Sequence, residues 1–279
     1  MQPKFTLKKR GIFFKLTPMF LILFCLSTGK INAQCTWTAA TVVPVPILDA
    51  PAVTIGTNLC TFGGVANGAI ISTTYRFDGT TWTTVAPVPA ALEFSSAVTD
   101  GTNAFILGGA LTGTGVPQTT MYRYNVATNN YTALAPFTVG TWNQGTIYLA
   151  GKIYKFGGTG PGTGSATALE IYDVATNIWT LGAPLPVATS FPGAFANGGF
   201  IYCIGGLNST GTVATAVTYR YDPVANVWND AAIADLPATR WGPASGFYNG
   251  QGLVCGGYVG GSVTANISNT APRKSPETE

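Results

Sequence analysis

Gln144-Gly-Thr-Ile-Tyr-Leu-Ala-Gly-Lys-Ile-Tyr-Lys-Phe-Gly-Gly158, followed by Glu170-Ile-Tyr-Asp173, Trp179 and Ala183-Pro-Leu-Pro186, contains one complete structural unit. Two short apolar runs flank Gly151-Lys152, and the second closes on Gly157-Gly158. A turn of this kind between strand-like runs predicts a hairpin. A third run ends in an Asp that can bond its own backbone two residues on. An aromatic then opens a fourth run, and prolines end the unit. The pattern predicts four antiparallel strands.

The unit recurs. Gly-Gly pairs stand at Gly63-Gly64, Gly108-Gly109, Gly157-Gly158, Gly205-Gly206 and Gly256-Gly257, at spacings of 45, 49, 48 and 51 residues. Tyr75-Arg-Phe-Asp78, Tyr122-Arg-Tyr-Asn125 and Tyr219-Arg-Tyr-Asp222 repeat the third run, and Trp82, Tyr131 and Trp228 the fourth. Four strands in about 48 residues make a propeller blade, and a fixed period of this length marks a repeat architecture.

The period and the order of landmarks (Gly-Gly, Tyr-x-Tyr-Asp, Trp) resemble the kelch repeat from residue 35 to about 268. WD-type repeats are shorter and end a strand in Trp-Asp, which does not occur here. The resemblance implies an all-β kelch-type β-propeller of about five four-stranded blades. Trp37 lies 45 residues before Trp82 and reads as an outer strand without a blade of its own. The last unit has Ser262–Ser268 as its expected third strand and no following Trp, so the N-terminal strand is expected to complete it. Kelch propellers usually have six or seven blades, which leaves open that the chain is a piece of a larger ring.

Residues 1–33 read as a signal peptide. Lys4, Lys8, Lys9 and Arg10 precede the apolar run Met19–Leu26, and Ile31-Asn-Ala33 suits cleavage. The run is far short of the ~20 residues needed to span a bilayer. Residues 34–270 form the expected propeller and 271–279 a polar tail. The leader holds six of fourteen basic residues, so the remainder carries 8 basic against 11 acidic side chains, net −3. That balance offers no basic patch for nucleic acid. The expectation is an exported monomer, secreted, periplasmic or at the cell surface, with no inserted membrane segment. Cys35, Cys60, Cys203 and Cys255 allow three disulfide pairings, or a set of small buried side chains.

The chain contains no histidine, which excludes Ser-His-Asp and Cys-His machinery and His-ligated metals. Galactose oxidase carries similar blades, but its copper site needs histidine and is not implied here. No cofactor or catalytic residue is expected. Gly158–Gly164 lacks the Lys-Ser/Thr ending of a phosphate loop and reads as a strand connection. Asp78, Asp173, Asp222 and Asp100 are turn residues. Outside the polar tail, Asp49, Glu93, Glu170, Asp230 and Asp235 are the other carboxylates.

Function is expected where the repeats differ. Aligned at the entrance to the innermost strand, the blades read Asp49-Ala50, Glu93-Phe94, Thr141-Trp142, Ser190-Phe191 and Arg240-Trp241. In a propeller these positions ring the mouth of the central channel. Aromatic faces beside variable polar groups suit a sugar or a peptide, and channel-plugging aromatics are the structural alternative. The candidate binding residues are Asp49, Glu93, Phe94, Trp142, Asn143, Phe191, Arg240 and Trp241, in a module for an extracellular protein or glycan. The resemblance also implies a second reading as a metal-independent mutarotase of the kelch-fold sialate type, with Glu93 and Arg240 transferring protons. A surface protein that binds itself is a third.

Overall fold

The computed structural model describes residues 40–111, 115–162, 164–230, 233–264 and 267–270. The expected leader, the strand around Trp37, Cys35 and the polar tail lie outside these residues. Ala40 apart, the described residues belong to the compact unit Thr41–Glu279.

Among the described residues every regular element is a strand. Strands are lettered a to d outward within each blade. Blade 1 is Ala52–Ile55, Asn58–Phe62, Thr74–Phe77 and Trp82–Val85. Blade 2 is Ser96–Thr99, Asn103–Leu107, Met121–Asn125 and Asn130–Ala133. Blade 3 is Gly145–Leu149, Lys152–Phe156, Leu169–Asp173 and Ile178–Leu181, and blade 4 is Gly193–Asn197, Phe200–Ile204, Thr218–Asp222 and Val227–Asn229. Blade 5 has Ala244–Tyr248, Gln251–Cys255 and Ile267–Thr270. All pairs are antiparallel. The architecture is the expected all-β propeller.

One boundary moves. The third strand of blade 5 was expected at 262–268 but runs Ile267–Thr270. Ser262–Val263 instead folds back on Tyr258–Val259 through Gly260-Gly261. Blade 1 does the same after its Gly-Gly pair, where Val65–Ala66 meets Ala69–Ile70 through Asn67-Gly68. Both turns place two successive residues at positive φ, which two-residue hairpins require.

The a strands stand side by side around a central cavity of about 650 Å³ reached by Val53, Val98, Ile147, Ala196 and Phe247, one from each blade. Aromatic and aliphatic side chains fill the space between blades. Phe156 and Leu185 pack against Trp228 and Tyr221, and Phe137 and Leu107 belong with Tyr172 and Trp179. Blade 5 offers Ser268 where blades 1, 2 and 4 carry Tyr75, Tyr122 and Tyr219, and about 300 Å³ opens between blades 4 and 5. Cys60, Cys203 and Cys255 are free thiols, the first two buried. They serve as small apolar side chains.

Two sets of hydrogen bonds join consecutive blades. Near the channel, the second glycine of each pair donates its N–H to the connector entering the next blade: Gly64 to Leu92 O (2.8 Å), Gly109 to Thr141 O (3.1 Å), Gly158 to Thr189 O (2.8 Å) and Gly206 to Arg240 O (2.7 Å). At the outer edge, the Asn of the c–d turn in blade n+1 accepts from an Ala N–H of blade n. Asn129, Asn177 and Asn226 take Ala86, Ala135 and Ala183 at 3.0, 2.9 and 2.7 Å. Each Asn also accepts a Tyr hydroxyl of its own blade, from Tyr124, Tyr172 and Tyr221. The indole N–H groups of Trp179 and Trp228 then donate to the carbonyls of Ala135 and Ala183. Trp82 makes the same bond to Thr41 O at 2.9 Å, so Thr41 stands one repeat ahead of Ala86.

In the first four pairs the contact with the next blade leaves no room for a Cβ on the first glycine, and the blade's own connector leaves none on the second. A Cβ on Gly157 would lie 2.3 Å from Thr189 O, and one on Gly158 2.8 Å from Gln144 Cβ, with both residues at positive φ. Gly151 also has positive φ, but a Cβ there meets nothing within 4 Å. Gly151→Ala should therefore cost only the left-handed backbone penalty of about 1–2 kcal/mol. Gly157→Ala must also push two blades apart and should cost about 3 kcal/mol or more. Denaturant unfolding of the two variants checks this; equal losses would remove the inner contact as the reason for the Gly-Gly pairs.

Candidate functional site

Each connector, four of them after meeting the previous blade's glycine, turns into its a strand through one residue in the left-handed region. These residues are Asp49, Phe94, Asn143, Phe191 and Gly242, with φ of 56°, 54°, 53°, 53° and 62°. They bond to one another around the mouth. Phe94 N–H donates to Asp49 O (3.1 Å), Asn143 to Phe94 O (3.1 Å), Phe191 to Asn143 O (2.9 Å) and Gly242 to Phe191 O (2.9 Å). Left-handed backbone is costly for a side chain such as Phe. Here the blade-to-blade bond holds it in place. The preceding residues Leu48, Glu93, Trp142, Ser190 and Trp241 each bridge to the residue after their own Gly-Gly pair.

This geometry corrects the alignment expected from sequence. Blades 2 and 4 are in the expected register, but blades 1, 3 and 5 shift by one residue. Thr141 and Arg240 fall one step earlier, beside Leu92 and Thr189, where the backbone carbonyl clamps a glycine. Their side chains are buried, Arg240 to 3% exposure. Arg240 turns inward and donates from Nη1 to Gly256 O at 2.8 Å, so its guanidinium ties down its own blade. It is not placed as a surface anchor. A signal for the true register was present: each left-handed residue lies 14 positions before the first glycine of its pair.

The shift alternates the positions from which rings emerge. Phe94 and Phe191 come from left-handed residues, whereas Trp142 and Trp241 come from the residues before them. Neighbouring rings then meet instead of colliding. Phe94 and Trp142 have centroids 5.0 Å apart, Trp142 and Phe191 5.9 Å, and Phe191 and Trp241 5.2 Å. Trp241 stacks on Tyr258 at 4.2 Å with planes 4° apart. Tyr258 was missed because it follows a Gly-Gly pair, a position that holds Val65, Ala110, Thr159 and Leu207 in the other blades. The arc crosses blades 2 to 5, and its rings remain partly exposed. The loops Gly115–Pro117 and Gly160–Gly162 flank Trp142 and enclose about 300 Å³ beside it.

Where the arc stops, acid begins. Asp49 is exposed and Glu93 half-buried, and the Asp49 carbonyl receives the N–H of the residue following Glu93. Although the residue is exposed overall, partial desolvation of its carboxyl pushes Asp49 above the usual carboxylate range. Burial, and then the charge of Asp49, does the same to Glu93. The ion pairs among the described residues are Lys152–Asp173 and Lys155–Glu170, so neither mouth carboxylate takes part in one. The other carboxylates have local roles. Asp78, Asp173 and Asp222 accept N–H groups of their own turns, and Asp235 accepts Thr218 N–H at 2.9 Å. Among the described residues no group of three or more acidic or cysteine side chains is disposed to hold a metal ion.

Residues 143–186 and 188–233 match the family model "Kelch motif", as two consecutive copies in phase with blades 3 and 4. Blades 3 and 4 thus carry kelch motifs within an all-β propeller. No curated protein matches the chain. Among solved structures it is similar to one titled "Structure of YjhT", at 15% identity and a TM-score of 0.62, over 83% of this chain and 97% of that one. That likeness is one of fold.

The raised carboxyls set a sign for pH dependence. A carboxyl whose folded pKa lies above its unfolded value favours folding while protonated. That contribution is present below the ordinary carboxylate pKa and is lost as pH rises through the folded value. Glu93→Gln should therefore raise stability at pH 7 by a few tenths of a kcal/mol, the effect being small because the site is solvated. The gain should vanish at about pH 3, below the ordinary carboxylate pKa. Melting curves at the two pH values test this; a variant less stable at pH 7 would contradict the repulsion between Asp49 and Glu93.

Proposed function

We propose that this chain is an exported recognition module that binds an extracellular glycan or protein segment at the channel mouth. The observation that carries the reading is the continuous arc Phe94, Trp142, Phe191, Trp241 and Tyr258, which ends at two carboxylates without a cationic partner among the described residues. Partly exposed rings supply stacking area for a sugar face or an apolar side chain. Unpaired carboxylates beside such rings favour ligands with a protonated amine, through ion pairing and the ring quadrupole. Asn143 and Glu93 add polar groups for orientation. The arrangement holds a ligand without needing a metal or a nucleophile. The fold alone does not choose among functions. Export rests on the basic and apolar leader within residues 1–33, and the module is taken to act as a monomer.

One observation favours a second reading. Glu93 stands at the mouth beside Asp49 with its carboxyl raised above the usual range, as suits a general acid–base group acting on a sugar. The cationic partner expected for it is not in position, since Arg240 is buried against Gly256. A metal-independent mutarotase would therefore depend on the carboxylates alone. Exchange NMR between the α and β anomers of free sialic acid, followed on the C3 methylene protons with the protein and with Glu93→Gln, separates the readings. Exchange accelerated by the protein and abolished in the variant establishes catalysis.

The binding reading is tested on arrays of neutral, acidic and amine-bearing oligosaccharides and of lysine-bearing peptides. Trp142→Ala and Trp241→Ala should each weaken the strongest ligand by at least about tenfold, the scale of a truncated aromatic anchor. Asp49→Asn should weaken amine-bearing ligands alone. Full affinity retained by both tryptophan variants would place the site elsewhere.

A further inference from the structure

Blade 3 departs from the repeat in one respect. On its b and c strands, Lys155 is paired across from Glu170. The same cross-strand pair is Thr61–Tyr75 in blade 1, Ile106–Tyr122 in blade 2, Cys203–Tyr219 in blade 4 and Val254–Ser268 in blade 5. Four blades fold with no charge at this place. Both groups in blade 3 are nonetheless fully enclosed, with side chains 0% and 1% exposed, and Nζ meets Oε2 at 2.8 Å. Burying two charges is costly, and well-packed apolar residues are often as stable or more so. The pair therefore calls for an explanation other than holding the blade together.

Its remaining contacts supply one. Glu170 Oε1 accepts the N–H of Thr138 at 2.6 Å, and its carboxylate also reaches the N–H of Val139 at 3.4 Å. Lys155 Nζ donates to Val139 O at 2.7 Å and lies 4.4 Å over the Phe137 ring. Carboxylate and ammonium together grip both sides of the connector from blade 2 to blade 3. Charge-assisted bonds of this kind are shorter and stronger than neutral ones. The next residue is Gly140, where a Cβ would lie 2.7 Å from Pro117 O. The gripped connector is thus pressed against the blade 2 loop. It then passes through Thr141, whose carbonyl clamps Gly109, to Trp142. Pro117 and Trp142 both line the 300 Å³ hollow.

We propose that Lys155 and Glu170 are positioning residues for the channel mouth: the buried pair fixes the connector 137–139 and so holds Trp142 in its place in the aromatic arc. Trp142 has a ring neighbour on each side, as Phe191 and Trp241 do, but it is the ring of the arc that also lines the hollow, which is what sets blade 3 apart. The pair touches no ligand in this scheme. Its purpose rests on the mouth being a binding site, whereas its effect on Trp142 does not.

The test needs no ligand. The protein is labelled with 5-fluorotryptophan, and the ¹⁹F resonances of Trp142 and Trp228 are identified by loss in Trp142→Phe and Trp228→Phe. Lys155→Met/Glu170→Leu removes both charges at similar volume. The expected result is a melting temperature close to wild type, with the Trp142 resonance shifted and broadened by exchange while Trp228 stays in place. Tyr219→Phe, at the equivalent place in blade 4, should leave the Trp142 line unchanged. If the double variant does not fold, Lys155→Gln/Glu170→Gln serves, because it removes both charges together and leaves no uncompensated charge buried. A Trp142 line at the wild-type position and width in the folded variant overturns the proposal. That outcome would leave the array experiment on Trp142→Ala to decide the binding reading separately.

Discussion

The close approach of a Gly-Gly pair to the connector of the following blade is the constraint on which the rest of this molecule depends. At four successive junctions one glycine lies against a backbone carbonyl with no room for a Cβ, and the other donates its N–H to that carbonyl. Peptide groups at the inner end of a blade have little water to bond, so an unmet N–H there would be expensive. The clamp meets it with the neighbouring blade. Two residues beyond each clamped carbonyl stands the left-handed residue of the mouth. Its position is therefore inherited from the glycines, not set by its own side chain.

Inner clamp and outer latch divide the blade's residues into those the fold uses and those it leaves available. The Tyr of the c strand, the Asn of the c–d turn and the Trp of the d strand are all spent on joining blades. Arg240, which looks like a channel residue in sequence, is also used by the fold, its guanidinium within its own blade. At the mouth the backbone alone satisfies the joining bonds, so side chains there can differ. They do: an acidic stretch at blades 1 and 2 passes into an arc of rings across blades 2 to 5.

The fold was legible because its requirements repeat. Gly157, Asp173 and Trp179 each perform a task that recurs in other blades, so a single chain carries several independent statements of one rule. The mouth was legible only in part. Glu93, Phe94 and Phe191 stand where the sequence puts them, because blades 2 and 4 happen to agree in register. Thr141 and Arg240 do not, because polarity guides that alignment, whereas backbone geometry, expressed in the constant 14-residue interval to the glycines, decides it. Tyr258 was invisible because no other blade has a ring at that position. The Lys155–Glu170 pair could not be read as a pair, since only strand register shows that the two residues face each other.

Among the described residues, each clamp and each latch runs the same way, from a surface on one blade to a different surface on the next. Such contacts are heterologous, and a heterologous contact carries no information about when to stop. The clamp at Gly109 would serve equally well in a ring of another size, because it senses one neighbour and not the whole. Blade number must then be decided by the small rotation between adjacent sheets, summed around the axis, and not by any residue that could be named. A gene could gain or lose a repeat without disturbing a single bond inside those that remain.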